Sequence, residues 1–163
     1  MPEKMIVVLD FGGREAVRVA RMIRSARVYC EVLPWNTPLA QIRARSPRGI
    51  VAVGGAQQLR PDGPQWDMGL FSLAVPVLAM GCGARALCVA CGGALDGTLF
   101  ENVPKKVPIP DTPLFHGMQG GNRMIDQADR MIVPTGFSVL SAVDGAVMVL
   151  FSDSYLHITR LNS

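Results

Sequence analysis

No apolar run in this sequence approaches the roughly 20 residues needed to cross a bilayer, so the reading holds no membrane span. Histidine is scarce, with two among 163 residues. Cysteine is little commoner. The four, at positions 30, 82, 88 and 91, lack the even spacing of a secreted disulfide framework and point to a reducing cytoplasm. Charged residues make up 18% against 49% apolar, a balance that builds a core and excludes disorder. The net charge is only +3. Arg14, Arg18, Arg21, Arg24, Arg27, Arg43, Arg45 and Arg48 are scattered and not interleaved with aromatics, so no nucleic-acid surface is expected. There is no internal repeat and no low-complexity tract. The opening "MPEKMIVVLDFGG" has one Lys before a short apolar run and no small-residue cleavage site, so it reads as a first strand and not a signal peptide. The length fits one domain spanning 1–163.

What is present is an alternation. "MIVVLDF" reads as a buried strand ending in a glycine pair. "REAVRVARMIRS" follows as an amphipathic helix, with Val17, Ala20, Met22 and Ile23 on one broad face and arginines opposite. "VYCEVLPW" is a second strand. "NTPLAQIRAR" opens a helix with Thr37 as N-cap and Pro38 at its first position. "RGIVAVGG" is a third strand, "QWDMGLFSLA" a short helix, and "VPVLAM" a fourth strand leading into a helix from about Gly83 to Cys91. Continuous apolar strands alternating with helices predict a parallel sheet covered on both faces. From Gly92 to Pro134 the chain is rich in Pro and Gly with little periodicity. "FSVLSAV", "AVMVLFS" and "YLHITRL" then read as closely spaced strands forming a small antiparallel extension. The nine Met residues read as core filler.

In an open parallel sheet, ligands bind beyond the carboxyl ends of the strands. Three such ends carry glycine: Gly12-Gly13, Gly54-Gly55 and Gly81-Cys82-Gly83. Glycine lets the backbone approach a ligand and lets N–H groups face an anion. The stretch "PVLAMGCGARAL" has the form of a nucleophile elbow, a tight strand-to-helix turn that holds a reactive side chain at its tip. Cys88-Val89-Ala90-Cys91 is a C-x-x-C late in a predicted helix, away from the N-terminus where a thiolate is stabilised. With two His and no second Cys pair, neither a redox pair nor a metal site is expected, and helix packing accounts for it.

Several segments together resemble the class I glutamine amidotransferase domain, and within it the glutaminase part of GMP synthases. "IVVLDFGG" is similar to that family's opening strand. "VYCEVLPWNTPLAQIRARSPRGIVAVGGAQQL" is similar to its second strand, helix and third strand. "VPVLAMGCG" resembles the nucleophile segment, "TPLFHGM" the Ser-Pro-Leu-Phe-x-Gly segment, and "ADRM...PTGFSVLSAVD" the stretch after it. The resemblance implies a flavodoxin-like, doubly wound, mostly parallel α/β sheet with helices on both faces and a small antiparallel C-terminal extension. It also implies glutamine hydrolysis by a Cys nucleophile with a His-Glu pair, ammonia passing to a synthetase.

The residues depart from that pattern where the chemistry lies. The family elbow reads Gly-x-Cys-x-Gly, and the aligned residues are Ala79-Met80-Gly81-Cys82-Gly83. A family Gly-Gly pair 11 and 12 positions after the nucleophile matches Gly92-Gly93 and counts back to Gly81. Shifting by one to make Cys82 the nucleophile puts Met80 where a tight elbow wants a small residue. Asn162 falls at the family His position, and the chain reaches Ser163 without a Glu and without the family's final helix. Asn does not take a thiol proton at neutral pH. His157, an odd offset from Asn162 on an apparent strand, points to the other sheet face, and His116 reads as surface. The family's Ser-His-Gly-Asp loop becomes Asp126-Gln127-Ala128-Asp129, keeping Asp129 with Arg130, and Ala56 stands where the family has Pro.

The expectation is therefore a degenerate, inactive amidotransferase homologue without cofactor or metal. Gly12, Gly54, Gly55, Gly81, Cys82, Gly83 and Asp129 would line a site for a glutamine-like or anionic ligand. The partner would be an ATP-pyrophosphatase or other synthetase, or a second copy of the chain. Two other readings stay open: an active, divergent amidohydrolase using Cys82, and an interaction module that keeps only the scaffold.

Overall fold

The first strand, β1 (Met5–Asp10), keeps Val7, Val8 and Leu9 wholly out of water, as expected of a strand covered on both faces. The computed structural model describes residues 4–55, 60–108, 116, 122–132, 138–143, 146–151 and 156–158. After β1 come α1 (Glu15–Ser25), β2 (Tyr29–Pro34), α2 (Leu39–Ala44), β3 (Gly49–Val53), a 3₁₀ helix (Met68–Leu73), β4 (Val77–Met80) and α3 (Cys82–Ala90). Then follow β5 (Ala94–Pro108), β6 (Asn122–Ile132), β7 (Ser138–Val143), β8 (Ala146–Phe151) and β9 (Leu156–Ile158).

A seven-stranded sheet runs in the order β2-β1-β3-β4-β9-β8-β7. The block from β2 to β9 is parallel, and β9-β8-β7 pair antiparallel. The doubly wound α/β class read from the alternation is therefore present, antiparallel extension included. Two apolar clusters lie on its faces. One gathers Val8, Cys30 and Val53 under Ala16 and Ala20 of α1. The other gathers Val7, Leu9, Ile50 and Ala52 with Ile42 of α2 and Leu87 of α3. Among the described residues, no helix is long and apolar enough to cross a membrane.

Four local expectations are corrected. On α1 the buried stripe runs through Ala16 and Ala20, whose small side chains let the helix sit close to the sheet. Val17 and Met22 flank that stripe and stay 54% and 61% exposed. Met68 is exposed too, so methionine is not uniformly core filler. Thr37 does not cap α2. Its hydroxyl donates to the Pro34 carbonyl at 2.7 Å, Pro38 takes the capping position, and the helix begins at Leu39. The stretch from Gly92 to Pro134, read as aperiodic, contains the long antiparallel pair β5–β6. Register shifts at Leu95/Thr98, Thr98/Phe100 and Glu101/Lys105 break the two-residue alternation that marks a strand.

Candidate functional site

β4 stops at Met80 and α3 starts at Cys82, so Gly81 alone makes the turn. Its φ of 58° and ψ of −128° strain any residue with a side chain. A Cβ built on Gly81 would collide with the backbone carbonyl oxygen of Gly54. Position 81 therefore has the backbone of an elbow tip without room for a side chain. Cys82 lies one residue inside the helix with none of its surface exposed.

The neighbouring glycines serve close packing. A Cβ on Gly54 would come within 2.7 Å of the Cys82 Cβ and 3.0 Å of the Phe11 Cβ, and one on Gly83 within 2.6 Å of the Ala52 carbonyl oxygen. Four of the rim N–H groups already have acceptors. Gly12 donates to Asp10 Oδ1 at 2.8 Å. Gly54 donates to the Met80 carbonyl, Gly55 to the Gly12 carbonyl, and Cys82 to the Gly55 carbonyl at 3.0 Å. In an elbow enzyme, the N–H of the residue after the nucleophile forms part of the oxyanion hole. By position that donor is Cys82, and here the chain's own Gly55 carbonyl fills the place.

A second donor reaches the same oxygen. Arg85, the one buried charged side chain among the described residues at 8% exposure, brings Nη1 to 3.4 Å from the Gly55 carbonyl. The sequence reading passed it over. Its only signal was a lone charge in the apolar helix segment "CGARALCVA".

Comparison with known proteins gives the family and the fold. The family model for Glutamine amidotransferase class-I matches residues 7–154. The chain belongs to that family. A GMP synthase [glutamine-hydrolyzing] of Mycolicibacterium paratuberculosis is 33% identical over 156 residues, covering 93% of this chain and 30% of the relative. One from Nitratiruptor sp. is 33% identical over 159 residues, covering 90% and 30%. The chain thus spans about a third of the length of these curated relatives. Among solved structures, a glutamine amidotransferase from Thermotoga maritima superposes with a TM-score of 0.64 at 11% identity, over 96% of this chain and 74% of that one. PurLQS from the same organism gives 0.64 at 14% identity, over 97% and 86%. At those identities the two structures speak for the fold alone.

Within this amidotransferase domain the remaining candidates are dispersed. Asp129 and Arg130 lie in β6, Asp129 in register with Thr98 of β5. His157 lies in β9, in register with Ala79 of β4 and Leu150 of β8. His116 is an exposed turn residue. Ala56 and Asn162 fall outside the described residues.

Three of the thiols are shifted against ionisation. Burial pushes the Cys82 thiol above its ordinary range, and the nearby Arg85 guanidinium offsets only part of this. Cys88 is pushed up to about 11, chiefly by burial and further by Cys91, which burial also raises. The Cys88 Sγ faces the Ile132 carbonyl at 3.7 Å, so half of the C-x-x-C packs against β6. No cluster of three metal-ligating side chains occurs among the described residues.

Proposed function

We propose that this is a GMP-synthase-like amidotransferase domain that does not hydrolyse glutamine and acts instead by binding a synthetase-type partner. The observation that carries the reading is Gly81. The elbow tip lacks a nucleophile, and the Gly54 carbonyl occupies the space one would need. The Cys82 N–H bound to the Gly55 carbonyl supports it, because an acyl-transfer site must keep that donor for the developing oxyanion. Asn162 at the family His position supports it further.

Glutamine or an anion at Gly12, Gly54, Gly55 and Cys82 would have to displace internal acceptors, so any such binding should be weaker than millimolar. The partner role is favoured over the ligand role for this reason. The curated relatives extend far beyond the span matched here, which favours an ATP-pyrophosphatase part over a second copy of this chain. The setting would be cytoplasmic purine metabolism.

The deciding measurement is ammonia release from glutamine, by wild type and by Cys82→Ala, alone and with the ATP-pyrophosphatase part of a GMP synthase. No release above the uncatalysed rate is expected. Removing a nucleophile from a catalytic unit costs on the order of 10⁶ in turnover. Turnover by wild type that Cys82→Ala abolishes would restore the reading in which Cys82 is the nucleophile. Turnover unaffected by Cys82→Ala would overturn the proposal without rescuing Cys82.

A further inference from the structure

The carboxyl ends of β1 and β2 hold a cleft of about 260 Å³ that Gly12 helps to line, on the side of β1 away from the elbow. Its walls are apolar and stiff. Val32, Leu33 and Pro34 come from β2, Trp35 from the turn after it, and Pro64 from the loop before the 3₁₀ helix. Asp10 is the one charged residue among those lining this cleft. Arg45 pairs with Glu31, and among the described residues no cation pairs with Asp10.

The cleft is also preformed. Trp35 donates its backbone N–H to the Asp10 carbonyl at 3.1 Å, which pins the indole-bearing residue to the end of β1. Asp10 Oδ1 accepts the Gly12 N–H at 2.8 Å, fixing the orientation of the carboxylate. The Pro34 carbonyl accepts both the backbone N–H and the hydroxyl of Thr37. A site ordered before its ligand arrives loses little entropy on binding.

We propose that this cleft binds a small organic cation, a primary ammonium on a compact apolar or aromatic body. The carboxylate repels anions and supplies the counter-charge for an ammonium. Apolar walls of this kind take up a hydrophobic body, and an indole attracts a cation placed over its face. A fully polar ligand would leave the walls unmatched, and a neutral apolar one would leave the carboxylate desolvated without compensation.

The test is calorimetric titration of the whole chain with phenethylamine, phenethyl alcohol and hydrocinnamate, repeated on Asp10→Asn and Trp35→Leu. The amine should bind with a Kd of about 1 mM. The alcohol and the carboxylate should bind at least roughly tenfold more weakly, as should the amine to Asp10→Asn. Asparagine keeps the oxygen that accepts the Gly12 N–H, so this variant removes charge while preserving the turn. If either variant fails to fold, the comparison of amine with alcohol on the wild type still decides. Absence of saturable heat at about 10 mM amine would overturn the proposal. Equal affinity for amine and alcohol, or an unchanged affinity in folded Asp10→Asn, would do the same. None of these outcomes depends on whether the elbow turns over glutamine.

Discussion

The inner strands of the sheet and its outer edge are built from opposite materials. Around β3, β4 and the start of α3, glycines bring backbone against backbone, and N–H groups and carbonyls close on one another: Gly54 with Met80, Gly55 with Gly12, Cys82 with Gly55. At β2 and its flanks, side chains make the contacts, Tyr29 and Arg45 with Glu31, and Trp35 lines a cleft with Asp10. The inner region carries the elbow turn at Gly81, and there backbone packs on backbone. The outer region keeps an open cleft and a carboxylate that no described cation pairs. A turn built on glycine lets backbone close on backbone, whereas a cleft walled by proline and tryptophan persists by stiffness.

The largest effect is expected from Gly81→Cys, the substitution that puts a thiol at the turn and tests the proposed loss of the nucleophile. A side chain at φ 58° costs about 1–2 kcal/mol, and the collision with the Gly54 carbonyl adds strain of similar size. Urea unfolding should show a loss of about 3 kcal/mol, equally in Gly81→Ala, because the thiol is not the cause. Ammonia release should stay at background. A loss below about 1 kcal/mol would mean that the Gly54–Gly55 segment moves freely, and the inner region would not be sealed.

Arg85→Met keeps the length of the side chain and removes its charge. Hydrogen bonds to charged groups contribute about 1.5–3 kcal/mol, so a destabilisation of about 2 kcal/mol is expected. Hydrogen exchange at the Cys82 amide should quicken beyond that of the other α3 amides, because the Gly55 carbonyl it binds has lost its second donor. Uniform quickening along α3 would show that Arg85 acts on the helix as a whole and does not hold the closure.

Much of this fold is legible in the sequence for a simple reason. Strands covered on both faces become unbroken apolar runs, as in "MIVVLDF" and "GIVAV", and the glycine pairs mark their carboxyl ends. β5 and β6 were hidden by their bulges, which scramble alternation. Val17 and Met22 were misplaced because periodicity gives the width of an apolar face only loosely, while Ala16 and Ala20 decide which part touches the sheet. The spacing to Gly92-Gly93 singled out Gly81, which the structure places alone in the turn between β4 and α3. The closure by Gly55 and Arg85 was not legible, since it depends on the direction of one peptide group. The Asp10 cleft was equally hidden, because only the parallel register setting Asp10 against Pro34 brings Trp35 beside it.

Cys88 offers a smaller effect with a defined pH window. Its thiol is pushed up to about 11 in the fold, against about 8.5 in an unfolded chain. The fold therefore favours the protonated form. That contribution is complete below the unfolded value and is lost as pH rises from there through about 11. Cys88→Ala should flatten the fall in stability measured between pH 8 and pH 10, and an unchanged slope would place Cys88 in contact with water. In the folded protein Cys91 should alkylate before Cys88 and Cys82, since it alone of the three is only partly buried.

The smallest effect belongs to the outer edge. Glu31 accepts from Arg45 Nε at 2.6 Å and from the Tyr29 hydroxyl at 3.2 Å, with both charged side chains about one-third exposed. The Arg45 hydrogen bond is the main cause that lowers the Glu31 carboxyl below its ordinary value. A lowered carboxyl stabilises the fold above the unfolded value, about 4.3 for glutamate, and the contribution fades as pH falls through the lower folded value. Exposed pairs of this kind contribute about 0.2–1 kcal/mol and are screened by salt. Arg45→Met should therefore reduce stability by about 0.5 kcal/mol at pH 7 in dilute buffer, and the difference from wild type should shrink both in roughly 1 M salt and towards pH 3. Urea midpoints at the two pH values decide it. A loss near 2 kcal/mol that ignores salt would mean that the edge is held as tightly as the elbow, and the contrast between the two regions would fail.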